Sequence, residues 1–336
     1  MLNQVDIIGP YPPPIGGISI HLARIEKLLI EFSVPYKIYN HGSYQSGNIV
    51  ATNKSLLWYI KYLFLPKGKV VHFHNFFKFQ FYYYFLFGIF FPNRLIITIH
   101  GEHILNSNIL NQNILLFLLK QTRYLKLILV SKSFSEYLNG INIDNVFLPA
   151  YVPPTGVKPT ALQPVDNKLF FMFSMWKVDK HTASKIYNID LAFSLLQEIK
   201  SNFQMLFLIG TKADSDLGYL ENSIEKHNLK NNITIYFDEQ LTDYINNCKF
   251  MIRCNHEDGY GVSLQESMDL GVPAIASDVC ARPSGTVLFK SNDLTDLLDK
   301  VNLVINTDIQ SILSSSSKPS YHLDLLNLYQ THLASK

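Results

Sequence analysis

The sequence predicts an α/β protein with two domains, each a doubly wound parallel sheet, that face a cleft. The chain has 336 residues, which suits two domains of about 150 residues each. Short apolar stretches of strand type alternate with longer stretches of helical periodicity, a pattern typical of a parallel sheet covered by helices. A proline-rich segment, Pro149 to Pro164, interrupts the alternation, which then restarts. We therefore expect the domain boundary there.

The first half begins with a strand, Gln4 to Gly9, and a proline-rich loop that ends in Gly16 and Gly17. Ile18 to Phe32 has helical spacing. This strand, loop and helix could bring backbone close to a ligand, although a tight turn that only lets the helix pack is the alternative. Further predicted strands are Tyr36–Asn40, Val70–Asn75, Leu95–His100, Leu127–Val130 and Val146–Leu148, and further helices are Leu56–Leu65, about 77–90, about 109–122 and one that begins at Ser131–Ser133.

The second half restarts with the strand Leu169 to Met175 and a polar loop, Trp176 to Asn188. Its other predicted strands are Met205–Gly210, Ile233–Phe237, Phe250–Cys254 and Ala274–Ser277, and its helices are Asp190–Ser201, about 217–228, 241–247, 292–306 and 321–333. The predicted domains are residues 1–150 and 167–317, joined by a linker at 151–166, with a C-terminal helix within 318–336.

Composition excludes several classes of protein. The chain is 47% hydrophobic and 17% charged, so it should fold. A formal charge of +2 argues against binding to nucleic acid. Three cysteines without a CxxC pair give neither a disulfide framework nor a zinc knuckle. Without a signal-peptide pattern or an apolar run of about 20 residues, the expected location is the cytoplasm.

The stretch from Met251 to Pro283 carries the clearest functional pattern. A strand runs into an acidic loop with glycines, then into a short helix and a second strand, so the loop lies where a parallel sheet presents strand ends to a ligand. A glycine-containing loop before a helix N-terminus suits a phosphate-bearing ligand. Asp258 and Glu266 bracket the turn. The alternatives are that Ser263 and Glu266 form only a capping box and that Asp258 is only a loop acid.

This stretch resembles a known family. The segment DGYGVSLQESMDLGVPAIASDVCARPSG is similar to the acid-x7-acid signature of the retaining glycosyltransferases of family 4, which have the GT-B fold, and in particular to their bacterial surface-polysaccharide branch. The segments GPYPPPIGGISIH and IHGEH fit the same family. Residues that match the branch pattern in register are Arg253, Asp258, Gly259, Val262, Ser263, Glu266, Gly271, Pro273, Ser277, Asp278, Arg282 and Pro283.

The resemblance implies two Rossmann-like domains, of which the first binds the acceptor and the second a nucleotide-sugar donor. The C-terminal helix would cross back onto the first domain. Glu266 would hold the ribose hydroxyls, and Asp258 would contact the transferred sugar, with His100 near its reacting carbon. Backbone around Gly259, Gly261, Val262 and Ser263 would contact sugar or diphosphate, and Gly16 and Gly17 would approach the diphosphate across the cleft.

The sequence departs from the family where a phosphate clamp, G-R-x5-K-G, is expected after the first strand of the second domain. Tyr187 and Asn188 fall at its Lys-Gly positions. The candidate cations that could replace the clamp are Lys177, Lys180, Lys185 and Arg253. The first acid also differs, since Asp258 stands where Glu is usual.

No metal or cofactor is expected. Helix termini and Lys or Arg can stabilise the leaving oxygens of a nucleoside diphosphate without a metal, and Asp214 and Asp216 form a DxD pattern after the wrong strand. His72 and His74 lie on one face of a strand, which could indicate a metal site. With no third ligand indicated, packing or acceptor contact is preferred.

The resemblance therefore implies a retaining transferase that moves a hexose-type sugar to a glycan or polyprenyl-linked acceptor in O-antigen or capsule synthesis. Lysines beside apolar and aromatic stretches suggest peripheral contact with the inner face of the cell membrane, although a solvated basic face over an aromatic core is the alternative; they are Lys54, Lys61, Lys67, Lys69 and Lys78. The alternative functions are a sugar-nucleotide 2-epimerase and a non-catalytic partner subunit of a transferase.

Overall fold

The computed structural model describes residues 4–13, 15–52, 69–74, 95–100, 116, 125–163 and 167–334. The helices predicted at 56–65, 77–90 and, apart from residue 116, 109–122 therefore lie outside the described residues. The same is true of Lys54, Lys61, Lys67 and Lys78 and of the Gly101 to His103 part of the IHGEH segment.

The chain divides into two compact units. The first consists of Met1–Pro13, Gly17–Val152 and Ser320–Lys336, and the second of Pro14–Gly16 and Pro153–Pro319. Each unit contains its own parallel sheet. The predicted fold class, two Rossmann-like α/β domains with doubly wound parallel sheets, is thereby confirmed.

The strands described in the first unit are β1 (Gln4–Gly9), β2 (Tyr36–Asn40), β3 (Ile49–Ala51), β4 (Lys69–His74), β5 (Leu95–Ile99), β6 (Leu125–Leu129) and β7 (Val146–Phe147). They form a sheet in the order β3-β2-β1-β4-β5-β6-β7. Every pairing is parallel, so the carboxyl ends of β4 and β5, where His74 and His100 lie, share one edge of the sheet. The described helices of this unit are α1 (Gly17–Glu31) and α2 (Lys132–Gly140), with a C-terminal helix (Tyr321–Ala334).

The core of the first unit combines both ends of the chain. Val5 and Ile7 of β1 are fully buried against Leu22 and Ile25 of α1. The C-terminal helix adds Leu325, Leu326 and Tyr329 to the same cluster, and each is less than 5% exposed. Burying an apolar side chain of this size stabilises a fold by about 1.5–3 kcal/mol. The hydrophobic effect therefore attaches this helix to the first unit.

The strands of the second unit are β8 (Leu169–Met175), β9 (Phe203–Ile209), β10 (Ile233–Phe237), β11 (Cys248–Arg253), β12 (Ala274–Ser277) and β13 (Val287–Phe289). They lie in the order β10-β9-β8-β11-β12-β13, again all parallel. The described helices are α3 (Ile189–Ile199), α4 (Leu217–Lys226), α5 (Leu241–Tyr244), α6 (Val262–Asp269), α7 (Leu294–Asn306) and α8 (Ile309–Leu313), which makes the C-terminal helix α9. No helix of the described residues is long and apolar enough to cross a membrane.

Aromatic side chains fill the core of the second unit. Phe171 stacks on Phe250 with ring centroids 5.3 Å apart, and Phe173 lies 5.3 Å from Phe207. All four are fully buried because helices cover both faces of a parallel sheet. This explains why β8 and β9 read as continuous apolar runs and were recognisable in the sequence.

Several short elements depart from the sequence predictions, among them the unpredicted helix α8. β3 and β13 have only three residues each, which is too short for an alternating pattern to be distinguished from a loop. The predicted polar loop from Trp176 to Asn188 contains one π-helical turn, Thr182–Ile186. Its Asp179 accepts hydrogen bonds from the backbone and hydroxyl of Thr182, at 2.9 and 2.7 Å, which stabilises the start of that turn.

The Asp214–Asp216 pair has a structural explanation in this fold. Asp216 is the N-cap of α4, and its carboxylate accepts the backbone N–H of Tyr219 at 2.9 Å. Asp293 and Asp308 cap α7 and α8 in the same manner. An N-cap carboxylate satisfies one of the helix N–H groups that otherwise lack a partner.

We predict that Asp216→Ala lowers the free energy of unfolding by about 1 kcal/mol, because α4 loses its cap. Chemical denaturation of the purified protein measures this change. The matched control is Asp214→Ala, which removes an exposed carboxylate two residues earlier. Equal effects of the two substitutions would contradict the capping role.

Candidate active site

The predicted donor end lies at the carboxyl edge of the second sheet. β11 ends at Arg253 and β12 at Ser277, and the two strands pair in parallel with Arg253 opposite Ala276. The loop after β11 leads to α6, and the loop after β12 carries Arg282. Because parallel strands present their carboxyl ends at one edge, the side chains of both loops meet there.

Gly261 determines how α6 begins. It is the N-cap residue and has φ +83°, a left-handed backbone that favours glycine. A Cβ atom here would lie 2.7 Å from Leu264 Cδ1 and 3.0 Å from Arg282 Nη1. Another residue would therefore be both strained and crowded. The turn leaves the first N–H groups of α6, at Val262 and Ser263, without partners inside the helix.

The capping-box alternative for Ser263 and Glu266 is wrong. Ser263 lies inside α6, because Gly261 caps the helix without a side-chain bond. The hydroxyl of Ser263 instead accepts a hydrogen bond from Arg253 Nη1 at 3.1 Å. Glu266 lies one turn further along α6 and is 7% exposed. The local requirements of the helix start thus do not account for a carboxylate at position 266.

Two arginines hold the carboxylate of Asp258. Arg253 donates to it through Nε and, at 3.1 Å, through Nη2. Arg282 donates through Nη1, while its Nε and Nη2 donate to the backbone oxygen and hydroxyl of Ser277 at 3.0 and 3.2 Å. Burial opposes ionisation of Asp258, but Arg253 and Arg282 outweigh it and lower its pKa to about 2. Two guanidinium groups and one carboxylate leave this cluster with a net charge of +1.

Tyr187, at the lysine position of the expected clamp, lies beside this cluster. The ring centroid of Tyr187 is 5.7 Å from Arg253 Cζ, a cation–π distance. Asn188 has φ 52° in the left-handed region and is the N-cap residue of α3. Asn tolerates this conformation better than most residues. Asn188 therefore adopts the backbone that a glycine would supply, whereas Tyr187 places an aromatic ring instead of an ammonium group.

The four candidate cations differ in their surroundings. Lys177 pairs with Asp179 at 3.2 Å and lies 5.1 Å from the ring centroid of Trp176. Lys180 and Lys185 are exposed, and Lys185 lies in the π-helical turn. Arg253 is the candidate that the structure joins to both Asp258 and α6. Gly259, whose N–H donates to Asp258 Oδ1 at 3.0 Å, belongs to the same loop.

Gly16 and Gly17 end the first glycine loop. Gly17 is the first residue of α1, and a Cβ atom there would have no neighbour within 4 Å. Packing around Gly17 therefore does not require a glycine, which weakens the tight-turn alternative at that position. Gly16 groups with the second unit and is half-buried.

His100, at the end of β5, is half-buried and contacts a group of buried histidines in the first unit. His100 Nε2 lies 3.0 Å from His74 Nδ1, and His74 Nε2 lies 3.2 Å from His72 Nδ1. The ring of His21, from α1, packs edge-on against His74 and His100 with centroids 5.4 and 5.8 Å away. No group of described residues has an arrangement suited to a metal ion. His72 and His74 are fully buried and hydrogen-bonded, which agrees with the packing interpretation preferred from the sequence.

Sequence reasoning did not identify the hydrogen-bond partners of His72. Its Nδ1 lies 2.6 Å from the hydroxyl of Tyr329 on α9, and its Nε2 lies 2.7 Å from Thr98 Oγ1. Thr98 could have been found, because it precedes His100 by two residues and so lies on the same face of the strand. Tyr329 is 257 residues from His72 in the chain, and no local pattern connects them.

Burial keeps these histidines neutral. It is the main cause that lowers the pKa of His100 to about 4 and those of His21, His72 and His74 well below the ordinary value. Neighbouring charge adds to the effect, from Arg24 on His21 and from His332 of α9 on His72. At neutral pH the group therefore consists of imidazoles, each with one N–H and one acceptor nitrogen.

Residues 181–311 match the family model described as Glycosyl transferases group 1. This part of the chain includes Arg253, the acid-x7-acid loop and α6. The sequence has no significant match among curated proteins.

Solved structures match almost the entire chain. Sucrose-phosphate synthase from Thermosynechococcus elongatus has a TM-score of 0.76 and 13% identity, over 99% of this chain and 100% of that one. Anabaena HepE, in complex with UDP and glucose, has a TM-score of 0.69 and 11% identity, over 98% and 99%. The lipopolysaccharide outer core galactosyltransferase WaaB has a TM-score of 0.57 and 13% identity, over 98% and 99%.

These likenesses show the fold, and the family match shows the class of enzyme. The chain is a glycosyltransferase with the GT-B fold. For such an enzyme, the second unit offers three features at one sheet edge: a net positive cluster, the start of α6 and a buried carboxylate, Glu266. A site of this kind can bind the diphosphate and the neutral hydroxyls of one ligand together.

We predict that the glycosyltransferase loses stability as pH falls from 7 to 5. Below about pH 6.5 the unfolded histidines take up protons, but the folded ones do not, because their folded pKa values are lowered. The contribution of these histidines to the free energy of unfolding is therefore fully present above that pH. It is lost as the pH falls toward the folded pKa, which is about 4 for His100. The slope is up to about 1.4 kcal/mol per pH unit for each such histidine. Asp258 does not contribute in this range, because its folded pKa is about 2.

Urea unfolding at several pH values between 7 and 5 measures this slope. His72→Gln should reduce it, whereas His181→Gln, which changes an exposed residue, should leave it unchanged. A stability that stays constant over this range would contradict neutral burial.

Proposed function

We propose that the chain is a retaining glycosyltransferase that moves a hexose-type sugar from a nucleoside-diphosphate sugar to a glycan or polyprenyl-linked acceptor. The observation that supports this most is the meeting of the Arg253–Asp258–Arg282 cluster, the N-terminus of α6 and buried Glu266 at one sheet edge. HepE, whose structure contains UDP and glucose, supports a donor of this class. The resemblance of the acid-x7-acid segment to retaining glycosyltransferases supports retention.

Arg253 is the proposed diphosphate cation. Cleavage of the bond from sugar C1 to the phosphate oxygen leaves negative charge on the diphosphate, which nearby fixed cations stabilise. Guanidinium is suited to this task because it binds phosphate oxygens bidentately and remains charged. Arg253 pairs with Asp258 and lies beside the first turn of α6 through Ser263, whereas Lys177 pairs with Asp179 in the loop after β8. Backbone N–H groups at Gly261, Val262 and Ser263 complete the proposed contacts, and Gly16 and Gly17 approach the same group.

Two carboxylates have separate proposed tasks. Glu266 accepts hydrogen bonds from the ribose hydroxyls, and its burial makes such bonds stronger than at an exposed position. Asp258 accepts a bond from a hydroxyl of the transferred sugar while the two arginines keep it ionised. His100, a neutral imidazole, contacts the sugar near its reacting carbon. No metal or cofactor takes part in this proposal, because Arg253 and the helix start provide the positive charge.

The proposed biological setting is bacterial surface-polysaccharide synthesis, of O-antigen or capsule. WaaB, a lipopolysaccharide galactosyltransferase by its description, supports an acceptor of this kind. A lipid-linked acceptor would bring the enzyme to the inner face of the membrane as a peripheral protein. Flotation with anionic liposomes tests this part, and protein that stays wholly in the soluble fraction would exclude it.

The function is tested with purified protein and UDP-, GDP-, ADP- and dTDP-sugars. A thermal-shift panel identifies the donor. Acceptor-dependent transfer with retained anomeric configuration, measured by NMR of the product, is the expected result, and it should be unchanged by EDTA. An altered sugar nucleotide formed without acceptor would instead indicate a 2-epimerase. Donor binding without turnover by the single chain would indicate a partner subunit.

We predict that Glu266→Gln weakens donor binding roughly 10- to 100-fold, because a charged hydrogen-bond acceptor is replaced by a neutral amide of the same shape. Isothermal titration with the nucleoside diphosphate of the identified donor measures the loss. Glu257→Gln, at an exposed acid of the preceding loop, is the control and should bind normally. Unchanged affinity of Glu266→Gln would remove Glu266 from the site.

We predict that Arg253→Gln weakens binding of the same diphosphate at least tenfold, because it removes a charge-assisted contact. Lys180→Gln removes an exposed cation from the loop after β8 and should change the affinity less than twofold. Arg253→Lys keeps the charge without the planar fork and should lie between the two. The reverse ranking of Arg253 and Lys180 would assign the clamp to the lysine.

A further inference from the structure

The hydrogen bonds of the first unit form one continuous chain from α9 to His100. It runs from Tyr329 to His72, from His72 to His74 and from His74 to His100, over donor–acceptor distances of 2.6, 3.2 and 3.0 Å. Tyr329, His72 and His74 are fully buried. These side chains come from the C-terminal helix and from neighbouring strands, so the chain connects distant parts of the sequence.

The number of ring hydrogens allows this hydrogen-bond chain only two arrangements. Each neutral imidazole has one N–H, and each contact between two rings needs one hydrogen. In the first arrangement the three rings all carry hydrogen on Nε2, and the single lone pair of His72 Nδ1 is shared between the hydroxyl of Tyr329 and the Nε2–H of His74. In the second arrangement the three rings all carry hydrogen on Nδ1, and the one Nδ1–H of His72 is shared between the Tyr329 oxygen and His74 Nε2. The protonated nitrogen of His100 is thus coupled to the role of the Tyr329 hydroxyl.

The chemistry of Tyr329 favours the first arrangement. A phenol is a stronger hydrogen-bond donor than a neutral imidazole, and an imidazole nitrogen is a stronger acceptor than a phenol oxygen. The 2.6 Å distance between Tyr329 Oη and His72 Nδ1 is short for the network and suits a phenol donor. Thr98 Oγ1 can then accept from His72 Nε2 at 2.7 Å.

We propose that Tyr329, His72 and His74 are positioning residues that hold His100 as its Nε2–H tautomer. His74 accepts that hydrogen, so Nδ1 of His100 is an unprotonated nitrogen that can accept a hydrogen bond from a substrate hydroxyl. The consequence for the reaction rests on the proposed function, in which His100 contacts the transferred sugar. A second-neighbour partner that fixes a ring tautomer is an established physical device.

The tautomers can be observed directly in the intact protein labelled with ¹⁵N-histidine. Long-range ¹H–¹⁵N correlation spectra at pH 7.5 should show His72, His74 and His100 as Nε2–H forms. A wild-type His100 protonated on Nδ1, or a mixture of both forms, would overturn the proposal. His100→Gln assigns its signals by their loss.

Two substitutions test the coupling. Tyr329→Phe keeps the ring but removes the donor, and it should convert His100 to a mixture of tautomers. His74→Leu interrupts the chain and should do the same. His21→Leu is the matched control, because His21 packs against His74 and His100 without a hydrogen bond to either, and its spectrum should keep the Nε2–H form. A pure Nε2–H His100 in Tyr329→Phe and in His74→Leu would overturn the coupling.

Kinetics separate positioning from a structural role. Tyr329→Phe should lower kcat about threefold to tenfold, since one hydrogen bond is worth about that factor, while KM for the donor stays within twofold. A loss confined to KM or to thermal stability would overturn the positioning role. The tautomer spectra do not depend on turnover, so they test the network even if the chain lacks transferase activity.

Discussion

The ion-pair cluster of Asp258 with Arg253 and Arg282 is the interaction on which the rest of the second unit's site depends. Its members come from the last residue of β11 and from the loops after β11 and its neighbour β12. Removing charges from water is costly, and such a pair is favourable only when the geometry and the remaining hydrogen bonds are good. Here Ser277 and Ser263 satisfy further guanidinium donors. The cluster therefore fixes both loops in one arrangement, and Gly261 must be small because Arg282 passes beside it.

The cluster also explains how the chain can lack the usual clamp. A clamp lysine after β8 would bring an ammonium group toward the position where Arg253 already lies. Tyr187 provides a ring for the guanidinium at 5.7 Å instead, and Asn188 keeps the left-handed backbone that starts α3. Asn188 thus preserves the left-handed backbone at the start of α3, while the positive charge lies on Arg253 at the end of β11. This separation of backbone and charge is what makes Arg253 the preferred cation.

Much of the fold could be predicted from the sequence, for identifiable reasons. Long apolar runs such as Phe170–Phe173 and Phe203–Ile209 are buried on both faces, so they stand out. Strands of three residues, β3 and β13, lack any comparable signal. In the site, the glycine and acid pattern predicted the loop before α6. The capping-box alternative failed because a left-handed Gly261, not Ser263, begins the helix. The φ angle of a glycine cannot be predicted from the residues beside it.

The contacts among the histidines of the first unit could not be predicted from the sequence. Alternation places His72 and His74 on one face, and a metal or a packed pair is equally compatible with that fact. The decision comes from burial, which removes the charge, and from Tyr329, which only tertiary packing brings to His72. A neutral chain of imidazoles transmits the hydrogen-bonding role of its first member to its last, because each ring must give up one nitrogen when it uses the other. The hydrophobic contacts that attach α9 to the first unit thus also decide, through Tyr329, which nitrogen of His100 carries its proton.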